Sequence, residues 1–238
     1  MGVALDKVVP WGRSLKEYVP MFSLTEDDLR SKVLDCAGGP ASFNVEMTRR
    51  GSRVVSCDPI YAHSAAEIAR RIKESCPSVL ENTKRNYDRF LWREIPSLEH
   101  LDKLRMTAMH QFLDDFAAGI EQGRYIAGEL PSLPFGDGEF DLALCSHFLF
   151  TYGNVLSLAF HCDSIRELCR VAREARVFPL LGQFGAEHSP HVPPLVSKLR
   201  AEGYVCEVRR VAYEFQKGGN EMLVARRSLT SPHKPARN

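Results

Sequence analysis

Two short stretches hold the residues best placed for chemistry. Residues 32–43 read Lys-Val-Leu-Asp-Cys-Ala-Gly-Gly-Pro-Ala-Ser-Phe, and residues 53–59 read Arg-Val-Val-Ser-Cys-Asp-Pro. One apolar run ends in Asp35 and a turn of small residues. A second ends in Asp58, with room for one helix between them. That is the order of a nucleoside-binding βαβ unit. A turn made of Ala37, Gly38 and Gly39 lets the backbone itself approach a ligand. A carboxylate at the tip of the second strand can accept hydrogen bonds from both hydroxyls of a ribose.

A third stretch, Cys145-Ser146-His147-Phe148, leaves a later apolar run at the edge of the sheet where ligands bind. His147 is the candidate proton acceptor, because an unperturbed imidazole titrates near neutrality. The competing reading is a histidine that bonds a neighbouring carbonyl and shapes the pocket. Tyr152, on the same loop, can orient a substrate or simply pack. His161-Cys162 falls on the apolar face of a helix and reads as a structural pair. The seven cysteines, at 36, 57, 76, 145, 162, 169 and 206, include no CxxC pair. They read as reduced, buried small hydrophobes, with neither a disulfide framework nor a metal site.

The elements that must position these residues alternate. Strands are expected at 32–36, 53–57, 124–128, 140–145 and 175–181. Helices are expected between most of them, including 157–172 and 194–202. Ser64-Ala65-Ala66-Glu67 is a capping box ahead of an apolar stripe at Ala65, Ile68, Ile72 and Cys76. Residues 77–121 show helical stripes and no strand, with a break at Pro96-Ser97. A βαβ unit needs only one crossover helix there, so this is a helical insertion, expected near the mouth of the site. Two further strands, 204–212 and 220–226, join through Lys217-Gly218-Gly219-Asn220, a hairpin turn. Residues 1–31 form an N-terminal helical arm or lid, 32–227 the main domain, and 228–238 a tail without periodicity.

Apolar residues make up 44% of the 238, mean hydropathy is −0.23 and net charge is +1. A chain of this size builds one α/β domain with an addition. No global basic field exists to hold nucleic acid or an anionic membrane. Nothing in the first ten residues reads as a signal peptide, and no apolar run is long enough to cross a bilayer. The expectation is a cytoplasmic protein with no membrane or nucleic-acid partner; a homodimer is compatible with the sequence.

The strand-helix order closed by a hairpin resembles the class I, Rossmann-like S-adenosylmethionine (SAM)-dependent methyltransferases over roughly residues 30–227. Asp35-Cys36-Ala37-Gly38-Gly39-Pro40-Ala41 is similar to that family's acid-plus-glycine loop, although only Gly39 keeps one of its three glycines. Asp58 looks like the family's ribose-binding acid, and Glu129-Leu130 sits where the family places its adenine-side acid. Leu133 to Leu142 is similar to the lead into strand four. The resemblance implies a doubly wound sheet, mostly parallel with a C-terminal antiparallel hairpin, and SAM as cofactor. Asp35 and backbone groups of 37–39 would then lie at its amino-acid end, with Ser146 close by. Asp58 would hold the ribose, and Pro59, Ile60 and Leu130 would sandwich the adenine, whose amino group Glu129 would accept. The partner would be a small-molecule methyl acceptor with an oxygen, nitrogen or sulfur nucleophile. The rival readings are a catalytically silent SAM-binding partner protein, a macromolecule methyltransferase, and a nicotinamide oxidoreductase, which would need a fuller glycine fingerprint and a sixth parallel strand.

Overall fold

The computed structural model describes residues 9–182, 184–185 and 187–228. The expected tail lies almost wholly outside the described residues, as do the first eight positions of the arm. Strands β1 (Lys32–Cys36), β2 (Arg53–Cys57), β3 (Tyr125–Ile126), β4 (Phe140–Ser146), β5 (Ala172–Phe178), β6 (Tyr204–Arg210) and β7 (Glu221–Arg227) form one sheet, ordered β3-β2-β1-β4-β5-β7-β6. The first five run parallel, while β7 is antiparallel to both β5 and β6. This is the doubly wound sheet with a terminal hairpin that the class I methyltransferase resemblance implies. Chain order reverses between β1 and β4, the switch point where such sheets bind ligands.

Both faces of the sheet are covered, so the central strands read as continuous apolar runs. Leu34 and Cys36 of β1 face a core shared with α6 (Leu158–Val171) and α7 (Val192–Ala201). Val33 faces the opposite core, shared with α1 (Leu15–Phe22) and α3 (Phe43–Arg49). The structure builds α1 into this second core: Met21 and Phe22 have no exposed surface, and Tyr18 stacks on Phe43 with ring centroids 4.3 Å apart. The short α2 (Glu26–Arg30) follows, and the Arg176 guanidinium of β5 ties both pieces down through the Phe22 carbonyl (3.0 Å) and the Asp28 carboxylate.

Beyond β2, α4 (Ala65–Arg85) and α5 (Leu98–Glu121) make a separate aromatic core with Tyr61 and Tyr125. Ser64 accepts from the Glu67 N–H, as one half of a capping box requires. Glu67 itself turns outward to Arg70 and Arg71. Pro77 falls inside α4, so no boundary separates the expected insertion from the helix before it.

Two strands depart from expectation. Only Tyr125 and Ile126 pair in β3, because the chain then turns through a bridge between Glu129 and Ser132. β5 starts at Ala172 rather than 175, because α6 passes directly into extended backbone at that residue with no linker. It ends at Phe178, before Pro179, which has no N–H to donate to a ladder.

Candidate active site

Over the carboxyl ends of β1, β2 and β4 lies a cavity of about 740 Å³, well inside the roughly 300–1,000 Å³ typical of small-molecule sites. Its walls come from the loop after β1, the 3-10 turn at Pro59–Ala62, the loop after β4, helices α4 and α5, the strip before α1, and the hairpin loop between β6 and β7.

The loop after β1 is held mostly by its own groups. The Ala37 N–H donates to the Cys57 carbonyl (2.8 Å) and the Gly39 N–H to Asp58 Oδ2 (2.9 Å). Of these three residues, among the described partners, only Gly38 keeps its N–H free for a ligand. A side chain is excluded at Gly38, since a Cβ there would lie 2.2 Å from Asp35 Oδ2. Asp58 Oδ1 accepts from the Ile60 N–H (2.8 Å) and so caps the 3-10 turn. Each oxygen of a carboxylate has two lone pairs, so Asp58 retains acceptor capacity toward the cavity. Burial raises its carboxyl to about 6.

Of the residues expected at the site, Ala37, Gly38, Gly39, Asp58, Pro59, Ile60, Glu129, Leu130, Ser146, His147 and Tyr152 all line the cavity. Asp35 does not. It is 1% exposed beneath the glycine loop, where it accepts from the Tyr18 hydroxyl (3.0 Å) and the Ser56 hydroxyl (3.0 Å). Its role is to hold the loop, and burial raises it to about 7. Glu129 stands exposed at the rim while Leu130 is buried.

His147 sits at the top of β4 with a left-handed backbone, φ 51°. Its N–H donates to the Phe178 carbonyl (2.6 Å) and its Nδ1 meets Ser146 Oγ at 2.9 Å, which leaves Nε2 for the cavity. Burial and the cations Arg13 and Arg105 push it well below the usual histidine value, so it is neutral at physiological pH. The Tyr152 hydroxyl accepts from the Val9 N–H (3.1 Å) and pins the start of the described chain over the site. His161 is structural: its ring nitrogens lie 2.7 and 3.0 Å from the carbonyls of Ser157 and Leu149. Cys36, Cys57 and Cys145 meet across neighbouring strands as buried free thiols, and burial raises Cys57 and Cys145 to about 12. No metal-binding cluster occurs among the described residues.

Sequence reasoning missed the cationic wall. Arg13, Arg105, Tyr18, Tyr213 and Phe215 all line the cavity. Arg105 left a readable sign, a cation within the α5 stripe Leu101, Ala108 and Phe112, all of which are buried. Phe90, within the expected helical insertion, also lines the cavity.

No protein-family model matches the chain. The uncharacterized protein MJ0045 of Methanocaldococcus jannaschii is 34% identical to it over 224 residues, which span 94% of this chain and 98% of that one. The chain belongs to the MJ0045 family. Similar solved structures include a SAM-dependent methyltransferase of Methanosarcina mazei, 14% identical with a TM-score of 0.43, covering 87% of this chain and 95% of that one. Another is the SAM-bound magnesium protoporphyrin IX methyltransferase of Synechocystis PCC 6803, 11% identical with a TM-score of 0.43, covering 85% and 73%. In this member of the MJ0045 family, no described helix is long and apolar enough to cross a membrane.

Proposed function

We propose that the protein is a SAM-dependent methyltransferase acting on a small molecule. The observation that carries this reading is the pairing of Asp58 with a glycine loop at the mouth of a single cavity that continues past His147. The residues present fit SAM. Among the described residues the Gly38 N–H has no partner and faces the cavity loop, and Asp58 has lone pairs free for a ribose. Pro59, Ile60 and Leu130 offer apolar surface for a base, with Glu129 at the rim to accept from an amino group.

When bound, SAM supplies an electrophilic methyl on a sulfonium. The chain's task is to align a nucleophile with that methyl and to exclude water. The strip before α1, α5 and the hairpin loop enclose the cavity and do the excluding. His147, neutral and with Nε2 free, can take a proton from the acceptor. The enclosed walls and the near-zero net charge favour a small acceptor over a macromolecule.

Thermal denaturation with S-adenosylhomocysteine and, separately, with NAD tests the reading. S-adenosylhomocysteine at 100 times its dissociation constant should add about 2.7 kcal/mol, and NAD should add nothing. Stabilisation by NAD alone contradicts it.

A further inference from the structure

One wall of the cavity carries a buried guanidinium, that of Arg105, and a half-buried one, that of Arg13. Arg105 is 1% exposed, and its Nη1 donates to Glu17 Oε2 at 2.6 Å. Arg13 has no carboxylate partner among the described residues. Among the described residues its one side-chain hydrogen bond goes from Nη1 to the Trp11 carbonyl at 3.1 Å. A guanidinium carries five N–H donors, and a donor nitrogen buried without an acceptor is costly. The Nε atoms of Arg13 and Arg105 are both buried without an acceptor among the described residues, and the Thr151 hydroxyl is likewise unpartnered. These three side chains all line the cavity. Buried donors that find no acceptor among the described residues, gathered on the wall of one cavity, mark a place for an acceptor brought by a ligand.

The wall also has a direction. Asp35 and Asp58 act on each other at the glycine-loop end. Arg13 and Arg105 together act on His147, Tyr213 and Glu17, and Arg13 also reaches Tyr18 and Tyr152. The cavity therefore has an acidic end, where Asp58 sits, and a cationic end beside His147. Glu17 balances one of the two cations and leaves one positive charge over.

We propose that Arg13 and Arg105 form an anion subsite, and that the methyl acceptor carries a carboxylate or phosphate which docks there and presents its nucleophile to the His147 side of the cavity. This rests on the methyltransferase reading. A planar guanidinium matches either anion through paired hydrogen bonds. A carboxylate can also come from the amino-acid end of SAM, and the experiment separates the two sources.

The first arm measures S-adenosylhomocysteine and 5′-methylthioadenosine, which lacks the amino-acid end, on the wild-type protein and Arg13→Gln by calorimetry. Arg13 has no carboxylate partner to strand. Both affinities should stay within about twofold in the variant. A loss of about tenfold or more for S-adenosylhomocysteine alone would assign Arg13 to the cofactor and overturn the proposal.

The second arm titrates benzoate, inorganic phosphate and uncharged benzamide into the wild-type complex with S-adenosylhomocysteine. At least one anion should bind saturably and benzamide should not. Arg13→Gln should weaken that binding about tenfold or more, and Arg13→Lys should recover part of it. If Arg13→Gln does not fold, Arg13→Lys carries the comparison: losing the paired geometry should still weaken the anion severalfold. No saturable anion, or equal binding by the variants, overturns the subsite. Failure of the wild-type protein to bind S-adenosylhomocysteine while still binding the anion counts against the methyltransferase reading alone.

Discussion

The Tyr18 hydroxyl donates to the Asp35 carboxylate over 3.0 Å, so the first helix of the chain reaches under the loop that follows the first strand. Ser56 donates to the other oxygen of the same carboxylate. Burial still dominates and raises Asp35 to about 7 and Asp58 to about 6. Both groups bind protons more tightly folded than unfolded. Their contribution to stability is complete below the unfolded value near 4 and is lost as pH rises through about 6 and 7. Urea denaturation of the ligand-free protein should therefore show this component of stability falling between about pH 4 and 7. Asp35→Asn should flatten that slope; an unchanged slope would contradict the assignment.

Glu17 and Arg105 behave in the opposite sense. Burial opposes ionisation of Glu17, and the Arg105 and Arg13 charges outweigh it, so the carboxyl titrates below its usual range. Its contribution is present above the unfolded value and is lost as pH falls through the lower folded one. Arg105→Met strands a buried carboxylate and should cost about 3–5 kcal/mol, much of it recovered in the double variant with Glu17→Gln. An Arg105→Met protein within about 1 kcal/mol of wild type by denaturant titration would show that the pair is solvated.

His147 pays for its position with a left-handed backbone. A residue with a Cβ spends about 1–2 kcal/mol to sit there. His147→Gly should thus be more stable than His147→Ala by about 1 kcal/mol, and on the proposed methyltransferase reading both should lose turnover with the imidazole. Because the wild-type ring is held neutral, its acid limb in kcat/KM should lie below the usual histidine value. Equal stability of the two variants would place the strain elsewhere.

Deleting residues 1–23 removes Leu15, Tyr18, Met21 and Phe22, all buried. Burying each such side chain is worth about 1.5–3 kcal/mol, and whole-domain stability is only about 5–15 kcal/mol. The truncated chain should lose its near-ultraviolet circular dichroism and its cooperative melting. A truncated protein that melts cooperatively and still binds S-adenosylhomocysteine would show that α1 acts as a lid.

β1 and β2 were legible to the residue because each is a short apolar run closed by an acid. The terminal hairpin was legible because Gly218, at φ 78°, takes a turn that other residues resist. β3 stops two residues short of the expected 128, which was hidden because Ala127 and Gly128 carry too little side chain to tell a strand from a turn. Only the packing of Gly128 against Cys57 and Pro134, where a Cβ would lie 2.9 Å from each, shows why the chain turns away. Asp35 was readable as important but not as buried, since depth depends on Tyr18 coming from another element. The arginine wall was hidden for the same reason: Arg13 and Arg105 are far apart in sequence and meet only through the fold.

The Tyr213 hydroxyl donates to Glu17 across 196 positions of chain, which has a consequence for how the protein is made. A ribosome releases α1 first, but its partners on β5 and the final hairpin come last. At about 5–20 residues per second, α1 waits roughly 10–40 s with Tyr18, Met21 and Phe22 uncovered. Through that interval the nascent chain is a client for any holdase that binds apolar segments, and the cavity comes into being only in its final seconds.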